Sequence, residues 1–195
     1  GVYPPDTQGD VGLTHYMQMI NLSFAIYDKL GNLLMGPLDN QTIWEGFDDG
    51  TPFDGANDGD PITLYDEFAD RWLTSQFAIQ LPDGSNWQLM AISATGDPTG
   101  TWYRYAYGPF SAVNDYPKFG VWPGSEAAVP GDNDAYFCSW NMFGSYFRVM
   151  AAAFDRQAML VGAPAAMYAV DLPRGSDPGR MLSFDCGISA PSPGQ

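Results

Sequence analysis

Residues 59–108 carry four consecutive runs of strand-like alternation separated by turn signals, and this unit constrains the chain more than any other feature. Ile62 and Leu64 alternate with Thr63 and Tyr65, the period of two that a half-buried strand requires. Residues 71–79 place Leu73, Phe77 and Ile79 on one face and Trp72, Thr74 and Ala78 on the other. Asp83-Gly84 then allows the positive φ of a tight hairpin, and residues 87–95 form a third run. After the turn Gly96-Asp97-Pro98-Thr99-Gly100, residues 101–107 set Tyr103, Tyr105 and Tyr107 on a common face. Both faces of the middle strands are apolar, so this sheet is expected to be covered on both sides.

The flanking segments look like worn copies of the same unit. Residues 15–22 and 24–28 read as strands, and the Asp28-to-Asn32 turn leads into residues 33–37. Residues 114–124, 134–143, 146–155 and 167–172 repeat the pattern on the other side. Residues 3–12 show no periodicity and read as a surface lead-in; residues 180–188 read as the first strand of a further unit. Helical signal is confined to one or two turns near 155–161, since residues 65–72 are too short. Four-stranded antiparallel sheets stacked as blades around an axis satisfy the demand for double coverage. The expected fold is therefore an all-β propeller in one segment, residues 1–195. Its blades lie at about 11–47, 59–108 and 115–172, with the start of a fourth at 180–188. A two-sheet β-sandwich is the alternative, because it also uses short strands and Gly/Pro turns. Three blades cannot close a ring that needs four to eight, so unpaired edges or uncovered blade faces are expected, with another chain or copy completing the propeller.

Charge narrows the partners. With 8 Lys and Arg against 23 Asp and Glu, the net charge of −15 repels phosphate backbones, which argues against nucleic acid. No apolar run is long enough to insert in a membrane. The start Gly1-Val2-Tyr3-Pro4-Pro5 has the look of a processed terminus, and sequons at Asn21 and Asn40 are consistent with a secreted glycoprotein. Cys138 and Cys186 could form one disulfide or stay as two buried thiols.

The most acidic stretch, residues 48–60, offers oxygen ligands for a hard cation such as Ca2+. Asp54, Asn57, Asp58 and Asp60 are the first choices for such a site. The spacing is not that of a helix–loop–helix calcium loop: from Asp54, position 3 is Ala56 and position 12 is Tyr65, so the bidentate Glu is missing. Asp and Gly also dominate ordinary solvated loops.

Compact catalytic signatures are missing from the sequence. His15 is the single histidine, which excludes a multi-histidine zinc site, and no Ser sits in a nucleophile-elbow pattern. Glycoside hydrolysis needs two carboxylates at a set separation, and Asp66 and Asp115 would be its candidates, near the starts of inner strands. The Asp-Arg pairs at Arg71 and Arg156 are expected to be local turns or surface ion pairs. The 6 tryptophans could stack on sugars, but most lie inside strand patterns and are expected in the core.

An ordered string of motifs resembles a family of secreted, bacterial-type β-propeller proteins of largely uncharacterised function. It comprises Pro4-Pro5-Asp6-Thr7-Gln8-Gly9-Asp10-Val11-Gly12, then Gly59-Asp60-Pro61 with Tyr65-Asp66 and Ala69-Asp70-Arg71-Trp72. Asp97-Pro98-Thr99-Gly100 with Tyr103-Arg104-Tyr105, and Asp115-Tyr116-Pro117-Lys118-Phe119-Gly120-Val121-Trp122-Pro123, continue it. The resemblance implies export, a propeller that runs on past residue 195, and no transferable activity. Residues 95–102 are also similar to the Asp-box hairpin of sialidase-like propellers, in which the Asp braces a turn. The expected function is a non-catalytic extracellular binding or assembly module for glycan or protein partners. A glycan-cleaving hydrolase of sialidase-like type is the alternative.

Overall fold

The computed structural model describes residues 2–124, 134–145 and 147–172. These form three four-stranded antiparallel sheets, each a meander of consecutive strands. The first holds β1 (Gln8–Val11), β2 (His15–Ile20), β3 (Ser23–Asp28) and β4 (Leu33–Asp39). The second holds β5 (Ile62–Asp66), β6 (Arg71–Ala78), β7 (Asn86–Ser93) and β8 (Trp102–Phe110). The third holds β9 (Val113–Trp122), β10 (Ala135–Phe143), β11 (Arg148–Asp155) and β12 (Met167–Leu172). Three separate sheets are not the two of a sandwich, so the blade-like reading of the repeats stands and the sandwich alternative does not.

One boundary differs from the sequence reading. The lead-in contains β1, which pairs with β2 from Gln8↔Met19 to Val11↔Tyr16. Its pattern was hidden by Gly9 and Asp10, which a strand tolerates here because the ladder, not the side chains, holds it. The turn after β5 is a turn and carries no helix. The expected strand at 180–188 lies outside the described residues, as does the whole loop 125–133.

The sheets stack face to face through apolar seams. Between the first and second lie Met17, Met19, Phe24 and Ile26 on one side and Trp72, Leu89 and Ala91 on the other, with Trp44 and Phe53 from the 40–61 connection. Between the second and third lie Leu73, Met90 and Ile92 against Tyr136, Cys138, Trp140, Met150 and Phe154. Alternate residues of one strand thus serve different seams: Leu89 faces the first sheet while Met90 faces the third. Every residue of β6 from Trp72 to Ala78 is buried, as a doubly covered strand requires.

The fourth strands of the first and second sheets share a glycine-proline kink. Gly36 and Gly108 both sit at positive φ, 96° and 153°, next to register shifts in their ladders. A Cβ on Gly36 would come within 2.6 Å of the Phe24 carbonyl oxygen, and one on Gly108 within 2.8 Å of that of Asn86. Only glycine fits either approach. The kink marks the repeat more clearly than composition does.

One short helix, α1 (Arg156–Leu160), follows β11 and packs its Arg156 and Met159 inward. Asp155 caps it, its side chain accepting from the Ala158 N–H at 3.0 Å. Asp155→Ala is expected to cost about 1 kcal/mol of stability, measured by urea denaturation.

Candidate functional site

The first strands of the sheets lie side by side, β1 against β5 and β5 against β9, so the segments leading into β1 and β5 meet residues 116–118 inside β9. They line one open cleft of about 250 Å³ with three tripeptides: Asp6-Thr7-Gln8, Asp60-Pro61-Ile62 and Tyr116-Pro117-Lys118. The first residue of each adopts a left-handed backbone, with φ of 40°, 45° and 54°. Three non-glycine residues at such angles are uncommon, and here they recur at one place per sheet. At Asp6 and Asp60 the kink comes just before the strand begins, whereas at Tyr116 it lies inside β9.

Asp60 ties the three segments together. Its N–H donates to Asn21 Oδ1 at 2.9 Å, while its Oδ2 accepts from the Tyr116 N–H at 3.1 Å. Asn21 in turn donates through Nδ2 to the Pro4 carbonyl at 2.8 Å and to the Asp6 carboxylate. Burial, then the Asp115 charge and hydrogen bond, raise the pKa of Asp60 to about 7, against the opposing pull of the Tyr116 N–H. Lys118 Nζ stands 3.5 Å from the Tyr116 ring centroid, a cation over an aromatic face.

The four residues expected to ligate a cation do not come together. Asn57 donates to the Leu22 carbonyl, Asp58 accepts from the Ile79 N–H, and Asp60 serves the junction just described. Asp54 alone joins a carboxylate group, with Asp48 and Asp49, whose ligand atoms lie within 4.8 Å of one another. Of the described residues, that is the set whose oxygen donors suit a hard cation. Two of the three already brace the loop: Asp48 accepts from the Gly55 N–H at 3.0 Å and Asp54 from the Gly50 N–H at 3.1 Å. Sequence proximity misled here because residues 48–60 wind back on themselves and send each carboxylate to a different backbone.

Asp66 is fully buried between the second and third sheets. It accepts from Arg156 Nε at 2.7 Å and Nη2 at 3.0 Å, and from the Tyr136 hydroxyl at 2.7 Å. Arg156 also donates to Asp134 at 2.9 Å. The surface or local role expected for Arg156 is therefore corrected: only 4% of the residue is exposed, and it clamps two sheets. Burial alone would lower the pKa of the guanidinium, but the hydrogen bonds and charge of Asp66 outweigh it and hold it above the ordinary arginine value. Tyr136 is raised by burial and then by the Asp66 charge, so it stays a donor. With all these partners, Asp66 is a structural carboxylate and offers no oxygen to a sugar. Arg71 matches its expected local role, donating to the Ala69 and Asp70 carbonyls.

The remaining candidates fall to structural duties. Asp97 accepts from the Thr99 N–H and hydroxyl, bonds that hold its pKa below the usual carboxylate range. It braces the turn, as the Asp-box likeness implies. His15 lies 3.6 Å from that carboxylate with Thr14 on its other nitrogen, and among the described residues no serine hydrogen-bonds to it. Cys138 is buried in the seam facing the second sheet, where burial pushes its thiol pKa well up; Cys186 lies outside the described residues. Of the sequon asparagines, Asn21 belongs to the junction above, and Asn40 is fully buried with Nδ2 on the Ile20 carbonyl. Trp44, Trp72 and Trp140 are fully buried, which fits the expectation of core tryptophans.

A second polar element was not foreseen from the sequence. Gln88, fully buried, accepts from Trp140 Nε1 at 2.8 Å and Asn114 Nδ2 at 3.1 Å, and donates to the Gln76 carbonyl at 3.0 Å. A glutamine within an apolar run was the available signal, since a buried amide needs partners. Comparison with protein-family models, with curated proteins and with solved structures returned no match.

Proposed function

We propose that this chain is a non-catalytic extracellular module, a β-propeller segment that assembles with a partner polypeptide through the outer face of its third sheet. One observation carries the reading. On β12, Tyr168, Val170 and Leu172 are 72%, 58% and 38% exposed and point away from the second sheet. Directly opposite them in the ladder stand Ala153, Ala151 and Val149 of β11, so the apolar face is continuous across two strands. The other face of β11, with Met150, Ala152 and Phe154, is buried in the seam. A face built like the buried ones gains about 25 cal/mol per Å² when another apolar sheet covers it. The partner that fits is therefore a second sheet with an apolar face, and the partner tested is a second copy of this chain.

Light scattering across a concentration series tests the reading. The wild type is expected to exceed the mass of one chain at micromolar concentration, and Val170→Asp to return it to that mass with an unchanged far-ultraviolet spectrum. A wild type that keeps the mass of one chain throughout removes the self-assembly reading. The hydrolase alternative is supported instead by turnover on a glycan panel that disappears in Asp115→Asn. Its other expected carboxylate, Asp66, is already committed to Arg156 and Tyr136.

A further inference from the structure

We infer that the outer face of the third sheet packs on the outer face of the first sheet of a second copy, and reciprocally, so that two chains complete one ring of six sheets. The inference rests on the assembly reading above and names the surface that receives β11 and β12. The order of the stack makes both faces ends. The first sheet covers one side of the second and the third covers the other, which leaves each end sheet with one seam face and one outer face. Two chains of three sheets set six in sequence, inside the four to eight that close around an axis.

The first sheet's outer face is apolar too. Met17, Met19, Phe24 and Ile26 point into the seam, so the alternate residues Tyr16 and Tyr27 point away from it. Register places them in one row across all four strands, Val11↔Tyr16, Tyr16↔Tyr27 and Tyr27↔Leu33. Val11 and Leu33, at the ends of the row, are exposed. The next row, Gly9, Gln18 and Ala25, also lacks a charge. On the third sheet the corresponding rows are Gly120-Phe137-Ala153-Tyr168 and Lys118-Ser139-Ala151-Val170, in which Lys118 is the single charge. The chain holds 23 Asp and Glu, yet none stands in these rows. A sheet face that meets water carries polar side chains instead.

Size decides between reciprocal and like-to-like pairing. The middle strands of the first sheet carry Tyr16 and Tyr27 outward, with ring centroids 6.2 Å apart. On the third sheet β11 presents only Val149, Ala151 and Ala153 on that side. Facing layers interdigitate when the large side chains of one meet the small side chains of the other. Tyrosines against tyrosines crowd the contact, and alanines against alanines leave a gap; both cost packing. Each copy offers one face of each kind. A pair of chains therefore uses all four faces, and growth stops at two.

Light scattering tests this on the full chain, on Val170→Asp, on Val11→Asp combined with Leu33→Asp, and on a one-to-one mixture of the two variants. The wild type is expected at the mass of two chains, and each variant at half that mass with an unchanged far-ultraviolet spectrum. The mixture is expected to regain the two-chain mass, because one intact third-sheet face then meets one intact first-sheet face. If Val170→Asp dissociates while the first-sheet variant stays at two chains, the third-sheet face pairs with its like: the assembly reading survives and this inference falls. A wild type at the mass of one chain, or a dimer that survives both sets of substitutions, overturns both. A mixture that stays at one chain, or a wild type that grows beyond two, overturns the reciprocal ring. Hydrogen exchange of the wild type above and below its dissociation midpoint needs no substitution. There β3 and β4 are expected to gain protection together with β11 and β12, and a gain in β11 and β12 alone overturns the inference.

Discussion

Arg156→Met is expected to destabilise the fold by about 3–5 kcal/mol, because it leaves Asp66 and Asp134 without their cation in a buried site. The carboxylate of Asp66 is fully buried and keeps only the Tyr136 hydroxyl and the Ala69 N–H after the change. A charge so placed either protonates or forces the seam open to water. Urea denaturation at neutral pH measures the loss. Replacing all three buried partners with apolar residues, as Asp66→Leu, Arg156→Met and Tyr136→Phe together, should recover much of it. Packing of apolar groups in place of a buried ion pair avoids the desolvation penalty altogether. If Arg156→Met costs less than about 1 kcal/mol, the clamp contributes no more than a surface pair and its assignment is wrong.

Gln88→Leu is expected to cost about 2–4 kcal/mol despite adding apolar surface to an apolar seam. The indole N–H of Trp140 loses its acceptor, and Asn114 Nδ2 keeps only a 3.4 Å contact to the Trp87 carbonyl. Trp140 is fully buried, so water cannot replace the lost bond without opening the seam. Urea denaturation followed by tryptophan fluorescence reports both the stability and the changed environment of the indole. An effect within about 0.5 kcal/mol of zero would show that the seam tolerates orphaned donors, against the usual cost of such groups.

These two clusters also show where reading the residues in order stops. The strands of the second sheet were legible to within one to three residues, because each is fixed by local alternation and joined to the next by a short turn. The helix after β11 was legible from the residues around Asp155. The partners of Asp66 were not: Arg156 stands 90 positions away and Tyr136 70. Nothing in Asp70-Arg71 and Asp155-Arg156 distinguishes the arginine that turns back on its own loop from the one that crosses to another sheet. The four expected cation ligands show the same limit in reverse: close in sequence, they go to separate partners, and only Asp54 stands with Asp48 and Asp49.

What the sequence by itself determined is the two-residue period, the turn chemistry and the number of complete four-stranded units, since hairpin pairing is decided by neighbours along the chain. It also determined that the second sheet must be covered on both faces. The tertiary structure alone decided which side chains meet across the seams: Asp66 with Arg156, and Gln88 with Trp140. Alternation says that a residue faces inward but is indifferent to what stands opposite, and that depends on how one sheet is rotated and slid over the next.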